Sequence, residues 1–261
     1  MGDCQALLHV NELTKHFKGL LAVDHYQLDL FPGEIVGLIG PNGAGKTTVF
    51  NLLTGIFPPS SGRIQLKGQN ITMLRPDQIA KRGMARTFQN IRLFGELSAL
   101  QNVLVAAQIH KKYHLGSTLL GTGAFGKEEK SLTYQAERYL EALGIHGIQN
   151  QLAKNLPYGV QRKLEIARAL ATGPRVLLLD EPAAGMNHQE SVELMENIRK
   201  LRDEFNLAII LIEHDMHVVM NLCQRLQVLS YGKIIAEGTP DIIKKNPMVI
   251  EAYLGRSKTS A

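Results

Sequence analysis

The chain has 261 residues, 44% apolar and 20% charged, with 29 Lys+Arg against 24 Asp+Glu. That length and balance suit a folded chain with a sizeable core and exclude wholesale disorder, leaving only the last residues, 255–261, as a frayed end. The net charge of +5 is mild and scattered, which reads as a solvated surface, and two distant cysteines, Cys4 and Cys223, exclude a zinc site or a disulfide framework.

Along the chain, the start carries an acid, Asp3, and no basic region ahead of an apolar run, so it does not read as a signal peptide. LLHV and YQLDLF read as short strands separated by polar segments. EIVGLIG, residues 34–40, is a buried strand running into a Gly-rich turn. KTTVFNLLTG then reads as a helix stopping near Gly55. GRIQLKG is a further strand.

From about Gln89 to Pro157 the pattern turns helical, in ALQNVLVAAQIH and LTYQAERYLEALGI, with a loop of Gly and small residues over 114–126 between them. Residues 89–158 therefore read as a helical insert in an α/β core made of 1–88 and 159–261. QRKLEIARALAT is a helix, VLLLD (176–180) an apolar strand, and SVELMENIRKLRDEF an amphipathic helix with Leu194, Ile198, Leu201 and Phe205 on one stripe. LAIILIEHD is a second buried strand, and LQVLSYGKIIAEG a hairpin turning at Tyr231-Gly232. Alternating buried strands and helices predict a largely parallel sheet with helices on both faces. No apolar run approaches the roughly 20 residues of a membrane span. No internal repeat is visible.

GPNGAGKT, residues 40–47, matches G-x-x-x-x-G-K-[ST] between a strand and a helix. Gly40, Gly43 and Gly45 let the backbone turn and aim its N–H groups at phosphate, and the following helix adds its positive end. Lys46 offsets β/γ-phosphate charge, and the Thr47 hydroxyl is a Mg²⁺ ligand. Asp180 and Glu181 end an apolar strand: the first is placed to hold Mg²⁺, the second to orient and deprotonate the attacking water. His214 follows another core strand, where open α/β sheets bind ligands, and is assigned to the γ-phosphate and the water. Gln89 could ligate the metal or be a surface amide. Phe17 could stack on adenine or sit in the core.

In this order and spacing, Phe17, GPNGAGKTT (40–48), Gln89, LPYGVQRKLEIARAL (156–170), VLLLDEP (176–182), AAGMN (183–187) and His214 resemble the ABC-transporter ATPase family over nearly the whole chain. Longer strings, among them FKGLLAVD, ARTFQNIRLF, LIEHDM and NPMVIEAYLG, are similar to the larger ATPase of bacterial branched-chain amino-acid importers. The resemblance implies the ABC ATPase fold: a RecA-like P-loop core, an N-terminal antiparallel β subdomain and the inserted α-helical subdomain. It implies ATP and Mg²⁺, with ATP touching Gly40, Pro41, Asn42, Gly43, Ala44, Gly45, Lys46, Thr47, Thr48 and Phe17, and the metal near Thr47, Gln89 and Asp180. Catalysis falls to Glu181, His214 and Gln89.

The same resemblance implies a head-to-tail dimer with a second ABC ATPase subunit. The signature segment Pro157, Tyr158, Gly159, Val160 and Gln161 would then act on the partner's ATP, next to a D-loop of Ala184, Gly185, Met186 and Asn187. Two membrane permease subunits, one seating a coupling helix beside Gln89, and indirectly a substrate-binding protein complete the implied assembly, at the cytoplasmic face of a bacterial inner membrane. Two positions depart from the family pattern: Pro157 stands where Leu-Ser-Gly-Gly-Gln has serine, followed by Tyr158 for the first glycine, and Asn187 stands where aspartate is usual. DNA-associated relatives separate the two halves of the ATPase by long heptad runs. The insert here is short and has none, and there is no clustered basic face, so nucleic acid is not an expected partner.

Overall fold

A computed structural model of the chain describes residues 5–110 and 123–254. The N-terminal segment forms two long antiparallel strands, β1 (Leu8–Phe17) and β2 (Leu20–Leu30). They run straight through the polar stretches expected to separate shorter strands. Glu12 and His25 take left-handed backbone angles, φ 52° and 51°, and the β1–β2 register shifts at Val10/Leu13. Bulges of this kind break the two-residue alternation, which is why the polar stretches do not look like strand in sequence.

The chain continues through β3 (Ile35–Ile39), α1 (Lys46–Leu53), β4 (Ser61–Leu66), β5 (Gln69–Asn70), α2 (Pro76–Lys81) and β6 (Met84–Arg86). Next come α3 (Ala99–Ala107), α4 (Gly123–Ala142) and α5 (Tyr158–Leu170), then β7 (Val176–Asp180), α6 (His188–Phe205), β8 (Ala208–Ile212) and α7 (Met216–Leu222). The described chain closes with β9 (Arg225–Ser230), β10 (Lys233–Gly238), α8 (Pro240–Lys244) and α9 (Pro247–Leu254). The loop expected over 114–126 lies outside the described residues up to 122, and its last four residues are already helical in α4. Among the described residues no helix is long and apolar enough to cross a membrane.

Two sheets result. One is four-stranded, β2-β1-β4-β5, and antiparallel; the other is six-stranded, β10-β9-β3-β8-β7-β6, and parallel apart from the β9–β10 hairpin. β3, β7 and β8 are buried at every position, as both faces of a parallel sheet require. Their side chains alternate between two cores. Val36, Leu38, Leu178 and Ile210 face α1 and the antiparallel sheet. Ile35, Ile39, Leu177, Leu179, Ile209 and Leu211 face the helices, in one cluster with Ala99, Val103, Ala136, Leu140, Leu164 and the expected stripe of Leu194, Ile198 and Leu201. Cys223 is buried there too, and burial pushes its thiol up to about 12, so it behaves as a small apolar side chain.

The two sheets are joined through bonds from Arg225 and Gln227 of β9 to the carbonyls of Asp29 and Gln27 of β2, and at one turn. Tyr231 and Gly232, both at positive φ (47° and 81°), form the two-residue β9–β10 connection. The Gly232 amide donates to the Ala44 carbonyl at 2.9 Å, and the Gly232 carbonyl accepts from the Asp24 amide at 2.9 Å. A Cβ on Gly232 would meet the Ala22 carbonyl at 2.9 Å. The turn thus straps the loop after β3 to β2.

The stretch between β6 and α3 is held by Asn102, which is wholly buried. Its side-chain oxygen accepts from the Phe94 amide at 2.9 Å, and its Nδ2 donates to the carbonyls of Phe94 (3.0 Å), Leu97 (3.3 Å) and Ser98 (3.0 Å). Asn102→Ala leaves the Phe94 amide without its acceptor and removes one of the bonds to each of the three carbonyls, and urea denaturation should show a loss of about 1–3 kcal/mol. Unaltered stability would mean that water replaces the amide.

Candidate nucleotide-binding and hydrolysis site

Parallel pairing brings the ends of three strands together. Asp180 pairs with Ile212 across β7–β8, and β3 lies between β8 and β9, so residues 40–47, 180–181 and 213–214 emerge side by side at the carboxyl edge. Ligands bind at this edge in open α/β sheets. Gly40 (φ 149°) and Gly45 (φ 105°) admit no side chain: a Cβ would meet the Leu229 carbonyl at 2.0 Å and the Ala22 carbonyl at 2.6 Å. The loop therefore closes directly onto backbone, with Gly45 capping α1.

A cleft of about 980 Å³ collects Phe17, Leu20, Leu21, Ala22, residues 42–48, Gln89, Glu181, His214, Tyr231 and Gly232. Phe17 stands at its wall, with its ring edge-to-face on Phe57 (5.3 Å, 80°) and Lys15 Nζ 5.0 Å from its centroid. Gly40 and Pro41, expected to touch the nucleotide, do not line this cleft; their carbonyls accept from Lys46 Nζ at 2.7 and 3.0 Å. Burial pulls the Lys46 ammonium below the ordinary lysine range, opposed by the charges of Glu181 and Asp180. A buried ammonium resting on carbonyls is a cation ready to exchange them for a stronger anionic partner.

Glu181 sits at φ 49°, a left-handed angle that costs a non-glycine residue about 1–3 kcal/mol. Its amide donates to the Ile212 carbonyl at 2.8 Å. Gln89 Nε2 donates to Oε2 at 3.0 Å, and His214 Nε2 stands 2.9 Å from Oε1. Three segments distant in sequence therefore fix one carboxylate at the mouth of the cleft.

Asp180 is placed differently. It is buried, and its Oδ2 pairs with Arg86 at 2.6 Å. Arg86 in turn donates to Asn51 Oδ1 at 2.7 Å and lies over the rings of Phe50 and Phe88. The guanidinium compensates the buried charge of Asp180.

Residues 157–161 and 184–187 do not line this cleft and form a separate junction. Pro157 is the N-cap of α5 without a side-chain cap. The position of the signature glutamine is occupied by Val160, half-buried against the core, a third departure that adds to Pro157 and Tyr158. The Tyr158 ring covers Gly185, where a Cβ would meet it at 3.0 Å. Tyr158 Oη accepts from Arg162 Nε at 3.1 Å, while Arg162 also donates to the carbonyls of Phe88 (2.8 Å) and Gln89. Gln161 Nε2 donates to the Leu156 carbonyl at 2.8 Å. Asn187 is the N-cap of α6: its side chain accepts from the Glu190 amide at 2.9 Å and Glu190 returns the bond to the Asn187 amide. Asparagine performs this cap as well as aspartate, so the lost charge does not cost the helix its start.

Glu213 was not singled out by the sequence, and it joins the two groups. It is 4% exposed, Oε1 accepts from the Ala183 amide at 2.8 Å, and Oε2 accepts from the His214 amide at 3.1 Å. Burial raises its pKa, and the amides of Ala183, His214 and Asp215 oppose that rise.

A glycine cradle with a buried lysine, a strand-end acid pair and a histidine facing the second acid define a P-loop nucleotide hydrolase. The family description "ABC transporter" matches residues 23–184, and "Branched-chain amino acid ATP-binding cassette transporter" matches residues 233–259. The chain is 49% identical to the high-affinity branched-chain amino acid transport ATP-binding protein LivG of Escherichia coli K12, covering 97% of this chain and 99% of that one. It is 46% identical to the corresponding protein BraF of Pseudomonas aeruginosa, covering 96% and 98%. The solved ADP conformation of MJ1267, an ATP-binding cassette of an ABC transporter, superposes with a TM-score of 0.84 at 28% identity, covering 96% and 99%. With likeness of this extent at both levels, the chain belongs to the ATP-binding subunits of ABC transporters, in the branched-chain amino-acid group, and is an ATPase.

Glu213→Ala should free the Ala183 amide inside the protein. We expect a loss of about 1–3 kcal/mol in chemical denaturation, together with slower ATP turnover. Normal turnover in a destabilised variant would confine Glu213 to a structural role.

Proposed function

We propose that the chain powers the uptake of leucine, isoleucine and valine by hydrolysing ATP as one half of a dimer with a second ABC ATPase. The suspension of Glu181 between Gln89 and His214, at the mouth of the glycine cradle, is the observation that carries the hydrolytic part of this reading. The amides of residues 43–48 and the Lys46 ammonium bind the triphosphate, and Phe17 stacks on the base. Glu181 orients a water and takes its proton as the water oxygen attacks the γ-phosphorus and ADP leaves. His214 steadies the Glu181 carboxylate and the γ-phosphate.

The oxygen donors Thr47, Gln89 and Asp180 suit Mg²⁺. Mg²⁺ is a hard ion that takes oxygen ligands and usually keeps phosphate and water among them. When bound, Mg²⁺ would neutralise charge on the β- and γ-phosphates. Arg86 keeps Asp180 compensated until then.

Residues 157–161 act on the partner's ATP, with residues 184–187 beside them. Proline, tyrosine and valine replace three signature positions, so the site they serve is the weaker of two. Residues 89–158 form the helical subdomain. Beside Gln89, an apolar groove of about 350 Å³ lined by Ile56, Phe88, Phe94 and Val105 suits a coupling helix from one of two permease subunits. Through those subunits the protein is held at the cytoplasmic face of a bacterial inner membrane, with a substrate-binding protein on the far side.

Glu181→Gln should retain ATP binding and lose about 10²–10⁴-fold in turnover, with gel filtration in ATP shifting toward dimer size. Undiminished turnover removes Glu181 as the base. Mild-detergent purification from membranes should bring two hydrophobic subunits and a second ATPase, and recovery of the chain alone would remove the transport assignment.

A further inference from the structure

We propose that Tyr231 is a nucleotide-contact residue that walls the sugar side of the ATP cleft. This inference rests on reading the cleft as the ATP site. Tyr231 is 91% exposed and at φ 47° occupies the first position of a two-residue hairpin turn. Such turns favour Asn, Asp or Gly there, because both central residues need positive φ. A bulky aromatic residue is the wrong choice for the turn, and at this exposure it adds almost nothing to the core. Its side chain is useful only to something that arrives.

What arrives is set by where the turn is held. The Gly232 amide is bonded to Ala44, its carbonyl is bonded to Asp24, and Lys233 Nζ pairs with Asp24 Oδ2 at 3.0 Å. A Cβ on Gly45 would lie 3.7 Å from the Gly232 Cα and 2.6 Å from the Ala22 carbonyl. Tyr231 is therefore fixed at the junction of the P-loop with β2, and it lines the same cleft as Phe17, Lys46 and Glu181. It also borders the hollow on the other side of the P-loop, with Pro41, Asn42 and Met248, so it stands astride residues 42–44.

The phosphates belong to the amides and Lys46, and the base to the wall that carries Phe17. The piece of a nucleotide lying between them is the sugar. A phenol at this junction covers an apolar sugar face with its ring and offers its hydroxyl to a sugar or α-phosphate oxygen. The ligand class is thus a nucleoside triphosphate, as distinct from a bare polyphosphate.

The test uses the full chain, with calorimetric titration of ATP and of tripolyphosphate against wild type, Tyr231→Asn and Tyr231→Phe. Asparagine restores the favoured Asn-Gly turn, so the melting temperature should hold or rise. The Kd for ATP should rise about threefold to tenfold in Tyr231→Asn, the range expected for losing one aromatic contact, with Tyr231→Phe falling between. The Kd for tripolyphosphate should not move. Equal ATP affinity in Tyr231→Asn and wild type would overturn the proposal, as would parallel weakening of both ligands, which would indicate a disturbed P-loop. Failure of the wild type to bind ATP would overturn the reading of the cleft itself.

Discussion

The Glu181 carboxylate accepts from Gln89 on one oxygen and faces His214 with the other, while its own amide is bonded to the end of β8. The fold needs several long-range agreements to make that meeting possible. β7 must pair with β8 in the register that sets Asp180 opposite Ile212, and Gln89 must leave β6 toward the same edge. Arg162, on α5, then holds the carbonyls of Phe88 and Gln89. The strained backbone at Glu181 is tolerable because it is tied down from several sides.

Three buried charges are met by ion pairs, while Lys46 rests on carbonyls and Glu213 on backbone amides. Asp180 has Arg86, Glu165 has Arg162 at 3.3 Å, and Lys163 has Glu193 at 2.6 Å. Removing one member of the buried Asp180–Arg86 pair would strand the other, a loss far larger than the net contribution of the pair. Arg86 also retains a buried Nε without a hydrogen-bond partner, and Glu165 an unpartnered Oε1. Both residues border the apolar groove beside Gln89, so two of the four buried unpartnered side-chain atoms among the described residues lie under that surface, the others being Tyr26 Oη and Gln227 Oε1.

Much of this was readable in the sequence for definite reasons. β3, β8 and the first four residues of β7 are apolar because both faces are covered. Among the glycines of residues 40–45, Gly40 and Gly45 are needed because carbonyls approach so closely, and Gly43 because its φ is 79°. The length of β1 and β2 was hidden by bulges that shift the alternation, and α2 was hidden because it buries a single side chain, Ile79. Glu213 reads as one more acid at a strand end, since its amide partner Ala183 is thirty residues away. The contact of Tyr158 with Gly185 has no sequence signal, because a ring over a glycine is a property of two loops brought together by the core.

The turn at Tyr231-Gly232 lies at the surface and is short, polar in its backbone and open to solvent, the kind of place usually chosen for a tag, a fused domain or new chain ends. Here the usual choice would be a poor one. Both peptide groups of Gly232 are already committed, one to Ala44 and one to Asp24, and the Ala22 carbonyl leaves no space for an added atom. Lengthening the turn would loosen the P-loop from β2, so for engineering purposes this exposed hairpin tip has the intolerance of the interior.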